Sequence, residues 1–268
     1  LRLDDGFTCA DIVKLTHEQP WSICLNTSTT TANDLQQLLN NGVYASRLQS
    51  CHNYYPRPET GLSWRLFAER CRLFAAQSIE VAAFIPSLHN PRGPLFAGLP
   101  TLEAHRTLAA QTAAKELAAS GLVQGIFFGD PLATKEELLA VGRVETQLLS
   151  LRLQLEPDLS PIERLLLDAS HTNRHDPGAA CARSQEARGL CTEDVPPRPA
   201  QPRPRGCVTI DNSGYGRYQG ELQIVQQDLP ADPRVNVVAH IEPTELFLLD
   251  YLEPGRSFAF EISSGGMP

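Results

Sequence analysis

The chain has 268 residues, 42% of them apolar and 20% charged, enough to build a packed core in one large domain or two unequal ones. Its 23 Lys+Arg against 31 Asp+Glu leave a net charge of −8, the wrong sign for a protein that works by neutralising nucleic-acid phosphates. No apolar run approaches the ~18–20 residues of a membrane-spanning helix, so neither a nucleic acid nor a membrane is expected as a partner.

Seven cysteines, an odd number without a C-x-x-C pair, argue against a disulfide scaffold and for a reducing, cytoplasmic setting. The start of the chain shows no secretory signal pattern. The single methionine is Met267, and the chain opens on LRLDDGF, a strand running into a loop; the expectation is that the N-terminal part of a longer protein is absent.

Short apolar segments alternate with helical stretches over the first 150 residues. Strands are predicted at LRLD (1–4), WSICLN (21–26), RLQSCHN (47–53), IEVAAFIPS (79–87) and LVQGIFFGD (122–130), each bounded by Gly, Pro, Asn or Asp. A helix is expected to begin near Thr8, with Asp4 or Asp5 as a possible cap. Further helices are predicted over 31–40, 63–77 and 101–120, the last opening on T-L-E-A and stopping at Gly121. This alternation predicts βαβ units on a parallel sheet.

Five such units fit a (β/α)₈ TIM-type barrel whose first three, at ~30 residues each, are missing. A doubly wound open sheet is the rival, but the first strand–helix turn carries no G-x-G-x-x-G loop. After one more apolar helix at 160–169, a connecting segment and Pro-rich linker are expected over 171–204, with five prolines from Pro196 to Pro204. CVTIDN, GELQIV, RVNVVAHI and SFAFEI then predict a small β-domain over 205–268, leaving 1–170 to the barrel.

In a (β/α)₈ protein the reacting groups sit at the C-terminal ends of the strands. Alternation puts Arg2 and Asp4 on one side of the first strand, and if Leu1 and Leu3 face the helices, the polar pair points inward. Asn26, His52 with Asn53, and Asp130 end three other strands; each also has a reading as an ordinary turn residue. The densest segment, SCHNYYPRPETGLS (50–63), offers His52, Asn53, Tyr55, Arg57 and Glu59 in a loop stiffened by Pro56 and Pro58. Glu59 alternatively pairs with Arg57 or caps the helix at Ser63. Arg92 and Gly93 form a candidate anion site. His171, His175, Cys181 and Cys191 have a zinc-like composition, but their spacing fits no common finger, and neither a metal nor a cofactor is expected.

HNYYPRPETGLS, RGPLFAGLPTLEAHR and RGCVTIDNSGYGRYQGELQIVQQDLPADPRVNVVAHI closely resemble the bacterial 6-phospho-N-acetylmuramidase family, formerly described as outer-surface proteins. The stretch HTNRHDPGAACARSQEAR departs from the family pattern at His175, at Ala180-Cys181-Ala182 and at Ala187, while keeping Arg174, Asp176, Arg183, Ser184 and Arg188. The resemblance implies a TIM-type barrel followed by a cyclophilin-like β-domain. It further implies hydrolysis of 6-phospho-N-acetylmuramyl-N-acetylglucosamine during cell-wall recycling, so the expected partner is a phosphorylated amino-sugar disaccharide.

LRLD, HNYYPRPET and FFGD are then expected to line the cleft, and DNSGYGRYQGELQ to pack near the barrel mouth. Asp4 and Glu59 are the first candidates for the carboxyl pair, with Asp130 in reserve. Asn26, His52, Asn53, Tyr55, Asn212 and Tyr218 are candidate sugar ligands; Arg57, Arg92 and Arg183 are candidates for the phosphate or the lactyl carboxylate. The alternatives are another phosphosugar enzyme on the same scaffold, such as an isomerase or epimerase, and a sugar-binding protein without turnover.

Overall fold

A computed structural model describes residues 1–4 and 6–262, and divides the chain into two compact units, Leu1–Val144 and a second beginning at Glu145. Asp5 lies outside the described residues.

The first unit is a parallel α/β layer. Its strands β1 (Ile23–Asn26), β2 (Leu48–Cys51), β3 (Val81–Ile85) and β4 (Gly125–Phe128) lie in the order β1-β2-β3-β4. The first residues of the chain run parallel beside β1: Leu3 N donates to Cys24 O at 3.0 Å and Cys24 N to Leu1 O at 2.8 Å. Five parallel segments in chain order therefore appear where five were expected. Helices α1 (Cys9–Glu18), α2 (Ala32–Asn40), α3 (Trp64–Ala75), α4 (Ala110–Ser120) and α5 (Lys135–Gly142) accompany them. Ile23, Leu25, Val81, Ala83 and Ile85 of the strands pack with Leu35, Phe67, Phe74, Ala113 and Leu117 in one core. Leu3 joins that core, whereas Leu1 is exposed.

Local chemistry sets the helix ends. Thr8, Thr31 and Thr134 form reciprocal capping boxes with Asp11, Asp34 and Glu137. The first helix is thus capped by Thr8 and not by Asp4. The helix predicted over 101–120 is shorter, because its apparent N-terminal signal is spent elsewhere. Thr101 Oγ1 accepts from Phe84 N at 2.9 Å and donates to Asn53 O at 2.8 Å. Only a 3₁₀ turn, Glu103–His105, forms before α4 begins at Ala110. Its end matches the prediction: Gly121 adopts φ 64°, a left-handed C-cap that only glycine takes without strain.

The second unit contains β5 (Leu148–Leu155), α6 (Pro161–Asp168), β6 (His171–Thr172), β7 (Cys181–Arg183), α7 (Ala187–Leu190), β8 (Cys207–Asp211), β9 (Leu222–Val225), β10 (Val235–Ile241) and β11 (Ser257–Ile262). They form one seven-stranded sheet in the order β6-β11-β5-β10-β8-β9-β7. Its two edges nearly meet, through an Asn173–Ser184 bridge and the Arg174 N to Arg183 O bond of 2.9 Å. The sheet is therefore close to closed, which hides most of its edges.

This sheet moves the expected domain boundary. The division falls at 144/145 and not at 170/171, because β5 buries Leu149, Leu151 and Leu153 between β10 and β11. Residues 171–204 are likewise no free linker. They supply β6 and β7, and the proline-rich part is extended yet fastened: Val195 is fully buried, Arg198 N donates to Asn236 Oδ1, and Arg203 exchanges both backbone bonds with Leu229.

Gly129, just after β4, has no room for a side chain: a Cβ there would lie 2.1 Å from Leu99 O and 2.7 Å from Leu99 Cβ. Gly129→Ala is expected to destabilise the chain by about 1–3 kcal/mol through overpacking against rigid backbone, read as a lower urea midpoint at unchanged slope.

Candidate active site

The parallel register brings the C-terminal ends of the first-unit strands to one side, where Arg2, Asp4, Asn26, Thr29, Asn53, Tyr54 and Phe84 line a cleft of about 720 Å³. A dense polar network shapes its floor. Arg2 Nη2 donates to Asn53 Oδ1 at 2.6 Å, Arg2 Nη1 to His52 O at 3.1 Å, and Arg2 Nε to Asp4 Oδ1 at 2.9 Å. Asn26 Nδ2 donates to the same Asn53 Oδ1 at 3.1 Å. With its oxygen taken twice, Asn53 has its NH₂ group as the end of the amide left over among the described residues. Asp4 is the carboxylate among the described residues lining this cleft, and its side chain is 68% exposed.

His52 lies beneath this floor, fully buried. Ser28 Oγ accepts from Asn53 N at 2.9 Å and lies 3.1 Å from His52 Nδ1. His52 Nε2 faces Cys71 Sγ at 3.3 Å. Burial, reinforced by the Arg2 and Arg70 charges, pushes the His52 pKa down to about 3. The ring is therefore a neutral strut for Asn53, in place of the sugar ligand expected from sequence.

The other sequence candidates divide between cleft and support. Asp130 is buried and accepts three backbone N–H groups, from Ser87 at 3.0 Å, Arg92 at 2.8 Å and Leu99 at 3.1 Å. It holds the 87–99 loop in shape, which accounts for a carboxylate at a strand end without acid–base chemistry. The same loop presents Arg92, whose Nη1 donates to Tyr54 OH at 3.3 Å with the guanidinium 5.1 Å from the ring centre. Tyr54, not Tyr55, lines the cleft; Tyr55 packs against the core and bonds Pro100 O through its backbone.

Arg57 and Glu59 are exposed and do not line the cleft. Glu59 adopts φ 72°, and its N–H is held by Glu103 Oε1 at 2.8 Å. Glu103 also accepts from Gly61 N and pairs through both oxygens with Arg106 at 2.6 Å. The Arg106 bonds, with those N–H groups, hold the Glu103 carboxyl down at about 2. Arg106 in turn reaches the carbonyls of Tyr55, Arg57, Ala97 and Gly98, tying the two cleft loops together. The sequence reading passed over this Glu103–Arg106 pair, although its i, i+3 spacing was visible.

Three candidates belong to the second unit. Arg183 Nε is bonded to the buried carboxylate of Glu221. Tyr218 is partly exposed, with Arg217 and Arg188 over its ring at 4.8 and 5.4 Å. Asn212 is fully buried and its amide is spent on Gly214 N, Pro233 O and Asn236 Oδ1, so it closes a turn and offers nothing to a ligand. Nor is His171 poised as a metal ligand: its two ring nitrogens meet Ser184 Oγ and Leu166 O, both at 2.8 Å.

Because His52 is neutral when folded and titrates near 6.5 when unfolded, it binds fewer protons in the native state across that interval. Its contribution to stability is complete above about pH 6.5 and is lost as pH falls toward 3. Urea unfolding between these limits is expected to show a steeper acid loss for the wild type than for His52→Gln.

Comparison with known proteins accounts for both units. The N-terminal model of 6-phospho-N-acetylmuramidase matches residues 1–143, and the C-terminal model of the same enzyme matches residues 149–261. A crystal structure of an uncharacterized B. cereus protein is 36% identical, with a TM-score of 0.92 over 97% of this chain and 76% of its own. A crystal structure of a conserved Enterococcus faecalis protein of unknown function is 34% identical, with a TM-score of 0.75 over 98% of this chain and 72% of its own. No curated protein gives a significant match. With both of its units matched by the two halves of one enzyme, the chain belongs to the 6-phospho-N-acetylmuramidase family and is a glycoside hydrolase.

Proposed function

We propose that the Arg2–Asp4–Asn26–Asn53 cleft is where the bond between 6-phospho-N-acetylmuramic acid and N-acetylglucosamine is hydrolysed. The observation that carries this reading is the meeting of three strand ends on one amide oxygen, Asn53 Oδ1, beside an accessible carboxylate. Independent turn residues have no reason to converge in this way. The five parallel segments are then read as part of a (β/α)₈ barrel, and the nearly closed seven-stranded sheet as the cyclophilin-like domain. All seven cysteines are free thiols, in keeping with the cytoplasm, where imported and phosphorylated wall fragments would be met.

Asp4 is assigned the proton transfer at the glycosidic oxygen. Arg2 keeps its carboxylate in place through the 2.9 Å bond. The Asn53 NH₂ group is a donor for a sugar oxygen, because its own oxygen is already used by Arg2 and Asn26. Arg92, stacked on Tyr54, places a positive charge at the rim, suited to the phosphate or the lactyl carboxylate on an otherwise acidic protein. Glu59, being exposed and outside the lining, is a weaker second carboxylate than it looked from the sequence. The substrate's own acetamido group is a candidate for the second catalytic role, a known departure from the two-carboxylate scheme.

On the phosphorylated disaccharide, Asp4→Asn is expected to lower kcat by about 10²–10⁴-fold, the usual worth of a general acid–base group. Glu59→Gln is expected to stay near wild type; a loss as large as that of Asp4→Asn would restore the two-carboxylate mechanism. Undiminished turnover in Asp4→Asn would remove this cleft as the reaction site. Arg92→Ala is expected to raise KM for the phosphorylated disaccharide more than for its unphosphorylated counterpart, measured by steady-state kinetics on both.

A further inference from the structure

The second unit buries two adjoining carboxylates. Asp211 ends β8 and Glu221 precedes β9; Asp211 N donates to Glu221 O at 3.0 Å, while Asp211 O accepts from Gly220 N at 2.8 Å and Glu221 N turns to Tyr218 O at 3.1 Å, so the two residues adjoin at a bulge just beyond the Ile210–Leu222 pair. Asp211 is 5% exposed and Glu221 3%. One oxygen of each, Asp211 Oδ1 and Glu221 Oε2, is buried without a hydrogen-bond partner among the described residues. Two residues back on the face of Asp211, the fully buried Thr209 hydroxyl is unpartnered as well.

The compensation around the pair is one-sided. Glu221 is bonded by Arg183 Nε and has Arg188 Nη1 3.9 Å from Oε2. Asp211 receives no comparable ion pair among the described residues. The groups whose charges reach it are Glu221 and Asp232, which oppose its ionisation, and Arg203, Arg183 and Arg234, which favour it; Tyr215 and Cys181 are the neighbouring titratable groups. Two adjoining ionised carboxylates with orphaned oxygens are costly in a buried site, and a single proton between them turns one orphan into a donor and the other into its acceptor.

We propose that Asp211 and Glu221 form one proton-binding site, with the proton carried by Asp211 and directed at Glu221, whose carboxylate is held by Arg183. The ligand of this site is the proton itself, and the site uses none of the cleft residues. Burial first, and the Glu221 charge second, raise the Asp211 carboxyl to about 7, so the proton leaves near neutrality. The folded state then binds more protons than the unfolded chain, whose Asp titrates at 3.8, over the interval up to about 7. The pair's contribution is thus complete at low pH and is lost as pH rises through about 7, opposite in sign to that of His52.

The test uses the full chain and two readouts. Infrared difference spectra between wild type and Asp211→Asn at about pH 5.5 should show the C=O stretch of a protonated carboxylic acid in the wild type alone, fading by about pH 8. Amide hydrogen exchange of β8 and β9, compared between the two proteins at each pH, should show wild-type protection falling roughly ten- to hundredfold more than that of Asp211→Asn from about pH 5 to about pH 8. Asparagine keeps a donor toward Glu221, so this variant is expected to fold. Glu221→Gln should also abolish the infrared band, by giving an ionised Asp211 a donor. Absence of the band in wild type, or equal pH dependence in wild type and Asp211→Asn, would overturn the proposal.

Discussion

Three strand ends share one amide oxygen. Arg2, from the segment beside β1, and Asn26, at the end of β1, both donate to Asn53 Oδ1 just beyond β2. The parallel ladder makes this meeting possible, because Asn26 pairs in register with Cys51 and the chain leaves both strands on the same side. Antiparallel neighbours would send consecutive strand ends to opposite edges. A polar cluster of this density therefore depends on the parallel direction and register of the sheet before it depends on any one side chain.

Charged groups spent on backbone atoms hold the surrounding loops in shape. Asp130 gathers three N–H groups of the 87–99 loop, and Arg106 gathers four carbonyls from the 55–57 and 97–98 segments while Glu103 takes two N–H groups of the next turn. Charge-assisted bonds of this kind are the strong ones, and they fasten irregular backbone that has no sheet or helix partner. The arrangement leaves Arg92 presented by a loop that is itself anchored through the Arg92 N–H on Asp130.

The two units handle buried charge differently. In the first, His52 is neutral and sits among groups that satisfy both ring nitrogens. In the second, Asp211 and Glu221 lie at the adjoining ends of β8 and β9 with unequal compensation from Arg183 and Arg188. Burial is the leading cause of both shifts, yet it lowers the imidazole and raises the carboxyl, because it always disfavours the charged form.

Much of the architecture was legible in the chain alone. Alternating short apolar segments and capped helices identified the parallel layer, since binary pattern and capping are local properties. Polar strand ends pointed to the side of that layer where the cleft lies, and the long motifs pointed to the family. Division of labour among those polar residues was decided only by tertiary contacts. Tyr54 and Tyr55 are neighbours of equal chemistry, and only packing sends one to the cleft and the other to the core. Thr101 carries a helix-start signal that a β3 amide claims first. Asp130 and Asp4 both follow strands, but the first meets three N–H groups and the second meets solvent. Residue type sets what a side chain is able to bind, whereas its actual partner is fixed by segments tens of residues away, and no local pattern records that distance.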